Sequence, residues 1–298
     1  MLHGAERKRL GPEFAPVRGA STRAGEARRR WEAEDGWQGV SEIVVEKRTP
    51  SIAVVTIDRP ARRNACNLAA WRDLARSFGA LSDDREVRLV ILTGAGGNFC
   101  AGADISEFST ARADSASGAR YEEEIEACYA AIERLRQPSI AAIEGYCVGG
   151  GCALAMCCDF RIARKGSRFG IPAAKLSVIY GIHECRLLLS LVGLSNAKRI
   201  LFKGDIFESA EAARMGLVNE EVAGDPVEAA IAFADGMTGN APLSIAGAKL
   251  ILGSLARGDV ERKAQEIDEL MRVALESADY REGQKAFAEK RRPRFVGA

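Results

Sequence analysis

Two glycine-bearing stretches hold the chain's most chemically suggestive pattern: "GNFCAGADI" at 97–105 and "CVGGGCALA" at 147–155. Each brings backbone N–H groups to a turn, and the second passes from a strand through three glycines into a helix. The first turn of a helix leaves N–H donors unpaired and carries partial positive charge, so an oxyanion is stabilised there. Two donors aimed at one oxygen form an oxyanion hole, in which each is worth roughly 3–4 kcal/mol to a reaction that gathers negative charge. Close packing of helix on strand is the alternative explanation of the glycines. A dinucleotide-binding fingerprint is excluded, because the glycines are contiguous and no acidic residue ends a following strand at the required distance.

No proton carrier stands beside the second turn, whose first helical residues are Cys152, Ala153 and Leu154. Candidate proton carriers further along are Tyr180, His183, Glu184 and Cys185 in "SVIYGIHECRL". His183 is one of only two histidines, the other being His3, and its ordinary pKa suits proton transfer near neutrality. A lone histidine that caps or lines a helix fits equally. A nucleophilic route through Cys147, Cys152 or Cys185 lacks a partner base nearby in sequence.

The elements that must position these loops read as α/β. "SEIVVEKRT" and "SIAVVTIDRP" are β-branched runs joined at Thr49-Pro50, the pattern of a hairpin. In "NLAAWRDLARSFGAL", Leu68, Trp71, Leu74 and Phe78 recur at helical spacing, and Gly79 is expected to close that helix. "VRLVILTG" and "SIAAIEG" read as buried strands. Tyr121, Ile125, Tyr129, Ile132 and Leu135 stripe a long helix that stops before Pro138. Strand and helix alternating at this rhythm imply crossover connections. After about residue 183 strands nearly vanish, and the C-terminal third reads as helices with apolar faces that need a sheet or another subunit to cover them.

The chain has 298 residues, a net charge of +1 and 28% charged residues, a balance that favours neither nucleic acid nor a membrane surface as partner. No run is long and apolar enough to span a membrane. The eight cysteines show no paired metal-ligand spacing and read as reduced core thiols of a cytoplasmic protein. Residues 1–40 are Arg-rich with no apolar period and read as a disordered extension.

Five motifs in order carry a resemblance: "IDRPARRNA", "GNFCAGADISEF", "IEGYCVGGGCALAMCCD", "GLVNE" and "DYREGQKAFAEKRRPRF". Together they are similar to the enoyl-CoA hydratase/isomerase, or crotonase, superfamily from about residue 41 to the C-terminus. The resemblance implies a ββα spiral core over 41–235, a C-terminal helical trimerisation region over 236–298, and a homotrimer or dimer of trimers. It implies an acyl-CoA thioester as ligand, with CoA belonging to the substrate and no separate cofactor or metal. The backbone amides of Ala103 and Gly150 would hold the thioester oxygen as it becomes an enolate. Ala65, Asp104 and Ile105 would line the CoA groove mostly through backbone contacts, with Arg62, Arg63 and Lys290 as partners for its phosphates.

The same resemblance marks a departure. Hydratases of this family carry two glutamates that bracket a water, and the matching positions here are Ala153 and Ala173. Each positioned acid or base is worth roughly 10²- to 10⁴-fold, so efficient hydration is not expected. Three outcomes fit: another residue such as Tyr180 or His183 supplies the proton; a malonyl-type thioester is decarboxylated with Tyr180 nearby; or the chain binds acyl-CoA without turning it over.

Overall fold

The structure, a computed structural model, describes residues 42–111 and 113–297. The expected extension at 1–40 lies outside them. The chain enters on β1 (Ile43–Thr49) and β2 (Ile52–Ile57), which pair antiparallel with Ile43 opposite Ile57. The hairpin read from the sequence is therefore present.

Helix α1 (Leu68–Asp83) begins at Asn67, whose side chain accepts a hydrogen bond from Ala70 N at 2.8 Å. It does not stop at Gly79. Phe78 and Leu81 are buried on either side of that glycine, whereas a Cβ added at Gly79 would meet nothing. The glycine sits on the solvent side, where it costs about 1 kcal/mol against alanine, less than the packing of its neighbours returns.

Next come β3 (Leu89–Gly94), α2 (Phe108–Ala111), α3 (Ser115–Glu133), β4 (Ser139–Ile143), β5 (Tyr146–Val148), α4 (Gly150–Cys157), β6 (Phe160–Arg164) and β7 (Arg168–Gly170). They are followed by α5 (Ile182–Lys203), β8 (Phe207–Glu208), α6 (Ser209–Arg214), β9 (Glu220–Val222) and α7 (Pro226–Phe233). The large sheet has the order β1-β2-β3-β4-β6-β9 and is parallel from β2 onward; a small sheet has the order β5-β7-β8. Successive turns give one strand to the large sheet, one short strand to the small sheet, then a helix, as in β4–β5–α4 and β6–β7–α5. This is the expected ββα spiral.

Strand residues alternate between two apolar layers, as the pleat requires. Val55, Leu92, Ala141 and Ala163 pack with residues of α1, α3 and α4. Val54, Ile91, Ile140 and Ile162 pack against Val227, Ala230 and Ala234 in and just after α7. The chain ends on α8 (Pro242–Arg257), α9 (Val260–Glu276) and α10 (Ala278–Ala288). Lys249 of α8 ties this layer to the core: its Nζ lies 2.7 Å from Asp159 Oδ2 and donates to Gln137 O at 3.0 Å. Asp159 in turn accepts from Ser139 N at 2.8 Å at the start of β4.

Candidate active site

Backbone pairing holds both glycine-bearing loops. Cys100 donates its N–H to Tyr146 O at 2.9 Å and accepts from Val148 N at 3.0 Å, so the first loop runs as a short strand beside β5. Cys66 grips the same loop from the other side, donating to Gly102 O at 2.7 Å and accepting from Asp104 N at 2.9 Å. Ala103 lies between those two bonds, and in a parallel pairing of this kind its own N–H faces away from Cys66.

The second amide is set by the glycine turn. Gly149 has φ +56° and ψ −118°, a left-handed conformation that strains any residue with a side chain, and it turns β5 into α4. A Cβ on Gly151 would overlap the Cys100 carbonyl, so the glycine lets α4 begin against the first loop. The two amides come close together as a result. Ala103 N is 3.5 Å from the point a Cβ on Gly150 would take, and Trp71 Cη2 is 3.3 Å from that point. Neither N–H has an acceptor among the described residues, while their neighbour Gly149 N donates to Gly170 O at 2.8 Å. Ala103 and Gly150 are both only partly buried. Two open donors at the head of an apolar helix, backed by an indole, make a place where a carbonyl oxygen can accept charge.

Two residues that sequence reasoning passed over brace this arrangement, though both lie within "IDRPARRNA". Arg59 donates to Ala65 O and, at 3.2 Å, to Asp104 Oδ2, while its Nε lies 2.7 Å from Glu42 Oε2. Asn64 is fully buried; its Oδ1 accepts from Arg59 N at 2.8 Å and its Nδ2 donates to Ala95 O at 2.8 Å and Asn98 O at 2.6 Å. The Arg59-Pro60 pair was the available signal, since an arginine ahead of a tight turn is placed to reach back across it.

The expected CoA-groove residues divide. Asp104 is buried, its amide is taken by Cys66 O, and its carboxylate accepts from the Ser106 hydroxyl at 2.6 Å and from Arg59. The Ser106 hydroxyl and, beyond it, Arg59 hold that carboxyl below its usual range. Ala65 O likewise accepts from Arg59, which leaves its second lone pair, while the Asp104 N–H is engaged by Cys66 O. Ile105 beside them is 61% exposed. Arg62 is exposed, and Arg63 lies 4.8 Å above the Tyr146 ring centroid as a cation–π pair. Lys290 is exposed two residues beyond α10, at φ +54°.

The residues read as candidate proton carriers lie around α4 and the start of α5. Ala153 is fully buried and Ala173 packs against the same core. Tyr180 packs there too, and its hydroxyl donates to Gly149 O at 3.2 Å, one residue from the Gly150 amide. Burial pushes its phenol well above the usual range, and the neighbouring Cys152 and Glu184 add to the shift, so it stays a neutral donor near pH 7. His183 stacks on Tyr129 with centroids 5.7 Å apart. Its Nε2 is 3.5 Å from Glu133 Oε2, an ion-pair separation without hydrogen-bond alignment, and its Nδ1 is 3.5 Å from Arg186 Nη2. Both ring nitrogens therefore face charged groups of α3 and α5. Cys147 and Cys157 are buried and their thiols raised, first by burial itself, which leaves them unsuited to nucleophilic work.

Known proteins share the sequence and the architecture. A sequence model of the family described as Enoyl-CoA hydratase/isomerase matches residues 47–298. A short-chain-enoyl-CoA hydratase of Clostridium acetobutylicum is 34% identical, with 85% of this chain and 97% of that protein covered. Two crystal structures superpose well. One is an enoyl-CoA hydratase/isomerase family protein of Hyphomonas neptunium, with a TM-score of 0.80 and 34% identity over 85% of this chain and 97% of that one. The other is an enoyl-CoA hydratase/carnithine racemase of Magnetospirillum magneticum, with a TM-score of 0.79 and 37% identity over 87% and 97%. A family match over residues 47–298, a relative 34% identical over most of both chains and superposable crystal structures leave one assignment: this chain belongs to the enoyl-CoA hydratase/isomerase (crotonase) family.

Proposed function

We propose that the chain binds an acyl-CoA thioester and stabilises its enolate between the Ala103 and Gly150 amides, and that it is a poor hydratase. The observation that carries this reading is the closeness of two N–H donors that have no acceptor among the described residues. Such donors act on the thioester oxygen as charge moves onto it, and they need no rearrangement at the moment of reaction. Adding water to an enoyl thioester needs groups that activate the water and protonate the α-carbon, and the methyls of Ala153 and Ala173 do neither.

Around this centre, Arg62, Arg63 and Lys290 are the proposed partners of the CoA phosphates, and exposed Ile105 the proposed apolar edge of its groove. Arg63 would keep or exchange its place over Tyr146. A homotrimer is proposed to cover the C-terminal helices: α9 buries none of its residues within one chain, and Leu252, Met271 and Leu275 are exposed. Among the described residues no helix is long and apolar enough to cross a membrane.

One test separates the readings. The protein is incubated with crotonyl-CoA and, separately, with methylmalonyl-CoA, while enoyl absorbance and CO₂ release are followed. Slow or absent hydration with saturable binding of the thioester is expected. Hydration at an ordinary enzymatic pace, on the order of 10 s⁻¹, would refute the poor-hydratase reading. Release of CO₂ would favour decarboxylation, a reading supported by the neutral Tyr180 hydroxyl beside Gly149.

A further inference from the structure

Three carboxylate-bearing or titratable side chains crowd the junction of α3, α4 and α5, and they differ in what they face. Glu133 faces His183 and Arg186, at 3.5 and 3.6 Å. His183 faces charged groups on both ring nitrogens, Glu133 across from Nε2 and Arg186 beside Nδ1. Glu184 has no hydrogen-bond or ion-pair partner among the described residues, although it is only partly exposed.

Position explains where its carboxylate lies. Glu184 is the third residue of α5, and helical side chains lean back toward the N-terminus of their helix. It folds over Gly181: a Cβ there would overlap Glu184 Oε2 and lie 3.2 Å from the carboxyl carbon. Glycine at 181 thus leaves the room this fold-back uses. The carboxylate comes to rest beside Tyr180, the residue before that glycine, whose hydroxyl reaches Gly149 O at 3.2 Å. Burial is the first cause of the raised Tyr180, Tyr129 and Cys157 acids, and the Glu184 charge adds to all three. Cys157 lies one helical turn beyond Ala153 on the same face of α4, so the charge acts on the face where Ala153 presents only a methyl group.

We propose that Glu184 is the proton carrier of this site, working from the first turn of α5 in place of the carboxylates absent at 153 and 173. The proposal rests on the two-amide reading given above. In the step it performs, a carboxylate oxygen of Glu184 takes a proton from the carbon next to the thioester carbonyl. That C–H bond breaks and an O–H bond forms on Glu184. The C–H electron pair becomes the new carbon–carbon π bond, and the carbonyl π pair moves onto the oxygen held by Ala103 and Gly150. Return of the proton, to the same carbon or to the γ-carbon of an unsaturated chain, reverses the flow, so no oxidant, reductant or water is consumed. The substrate class is accordingly a thioester with an acidic α-hydrogen, such as a 3-enoyl-CoA. Tyr180, kept neutral, donates to Gly149 O and forms the wall across which the proton moves.

The test uses the full chain with but-3-enoyl-CoA in D₂O, reading deuterium incorporation and double-bond migration by NMR, and butyryl-CoA binding by calorimetry. Wild type is expected to exchange the α-hydrogen. Glu184→Gln is expected to lose about 10²- to 10⁴-fold in exchange while binding butyryl-CoA as before, and Glu184→Asp, which keeps a shorter carboxylate, to fall between them. Far-UV circular dichroism and a thermal melt establish that each variant is folded. Exchange by Glu184→Gln at the wild-type rate, with Gly150→Pro inactive, overturns the role of Glu184 and leaves the two-amide reading standing. Binding without any exchange by wild type overturns both.

Discussion

The two halves of the candidate site are built from different materials. The proposed oxyanion half is backbone: Cys66, Cys100 and Val148 hold Ala103 and Gly150 through ladder hydrogen bonds of 2.7–3.0 Å, and buried Asn64 and Arg59 hold the loop from behind. The proposed proton-transfer half is side chain: Tyr180, His183, Glu184 and Glu133 lie where α3 and α5 approach α4. Main-chain donors survive almost any change of side chain, whereas an acid or base is lost with one substitution. This molecule combines the two main-chain amides with methyl groups at 153 and 173.

Breaking the backbone half is expected to have the largest effect. Gly150 is the first residue of α4, a position where proline is tolerated, so Gly150→Pro removes the N–H while leaving the helix able to start. Any enolate-forming activity should fall about 10²- to 10³-fold. Gly150→Ala is the control: it keeps the N–H and also brings a Cβ to 3.3 Å from Trp71. Equal losses in the two variants would assign the effect to crowding and erase the contrast between the halves.

The scaffold behind the amides comes next. Arg59→Met leaves Asp104 buried without its guanidinium and frees Ala65 O, at an expected cost of about 3 kcal/mol in denaturant unfolding. Its pH dependence sharpens the assignment. The Asp104 carboxyl is held low by the Ser106 hydroxyl and then by Arg59, so its contribution is present above its unfolded pKa and lost as pH falls through the folded value. In Arg59→Met the folded value rises toward the unfolded one, and the stability lost relative to wild type should shrink as pH drops below about 4. A loss independent of pH would mean that packing, not charge, is what Arg59 supplies.

Smallest is the expected effect of His183→Ala on turnover. With both nitrogens facing Glu133 and Arg186 and the ring stacked on Tyr129, the substitution should lower stability by about 1–2 kcal/mol and leave any activity within a few-fold of wild type. A loss of two orders of magnitude with unchanged melting would move proton transfer to His183 and away from Glu184.

What could be read ahead of the structure follows the same division. The hairpin, the buried β3 and β4, the stripe of α3 and the glycine entry to α4 are local patterns, and each is present, although Leu135 of the expected stripe lies beyond the end of α3 at Glu133. The closeness of the two glycine-bearing loops was legible through motif order, because strand pairing turns two distant loops into neighbours. The partners of His183 were not legible. Nothing local links Glu133 at the end of α3 to the first turn of α5, and only packing on Tyr129 brings them together. Gly79 misled because glycine ends a helix only when its neighbours have no core to bury, and Phe78 and Leu81 do. The Arg59 bonds to Ala65 O and Asp104 were not legible either, because they join residues six and 45 positions apart across the first loop.

Cys100 gives the molecule a clock. Its main chain joins the two glycine-bearing loops, while its thiol is sealed beneath them, 3.9 Å from Cys66 Sγ and wholly shielded from solvent. A bulky alkylating reagent can arrive there only when the loops part, and once attached it keeps them from closing again. The rate at which Cys100 itself is modified under a large excess of reagent therefore counts how often the loops part, a frequency no static distance contains.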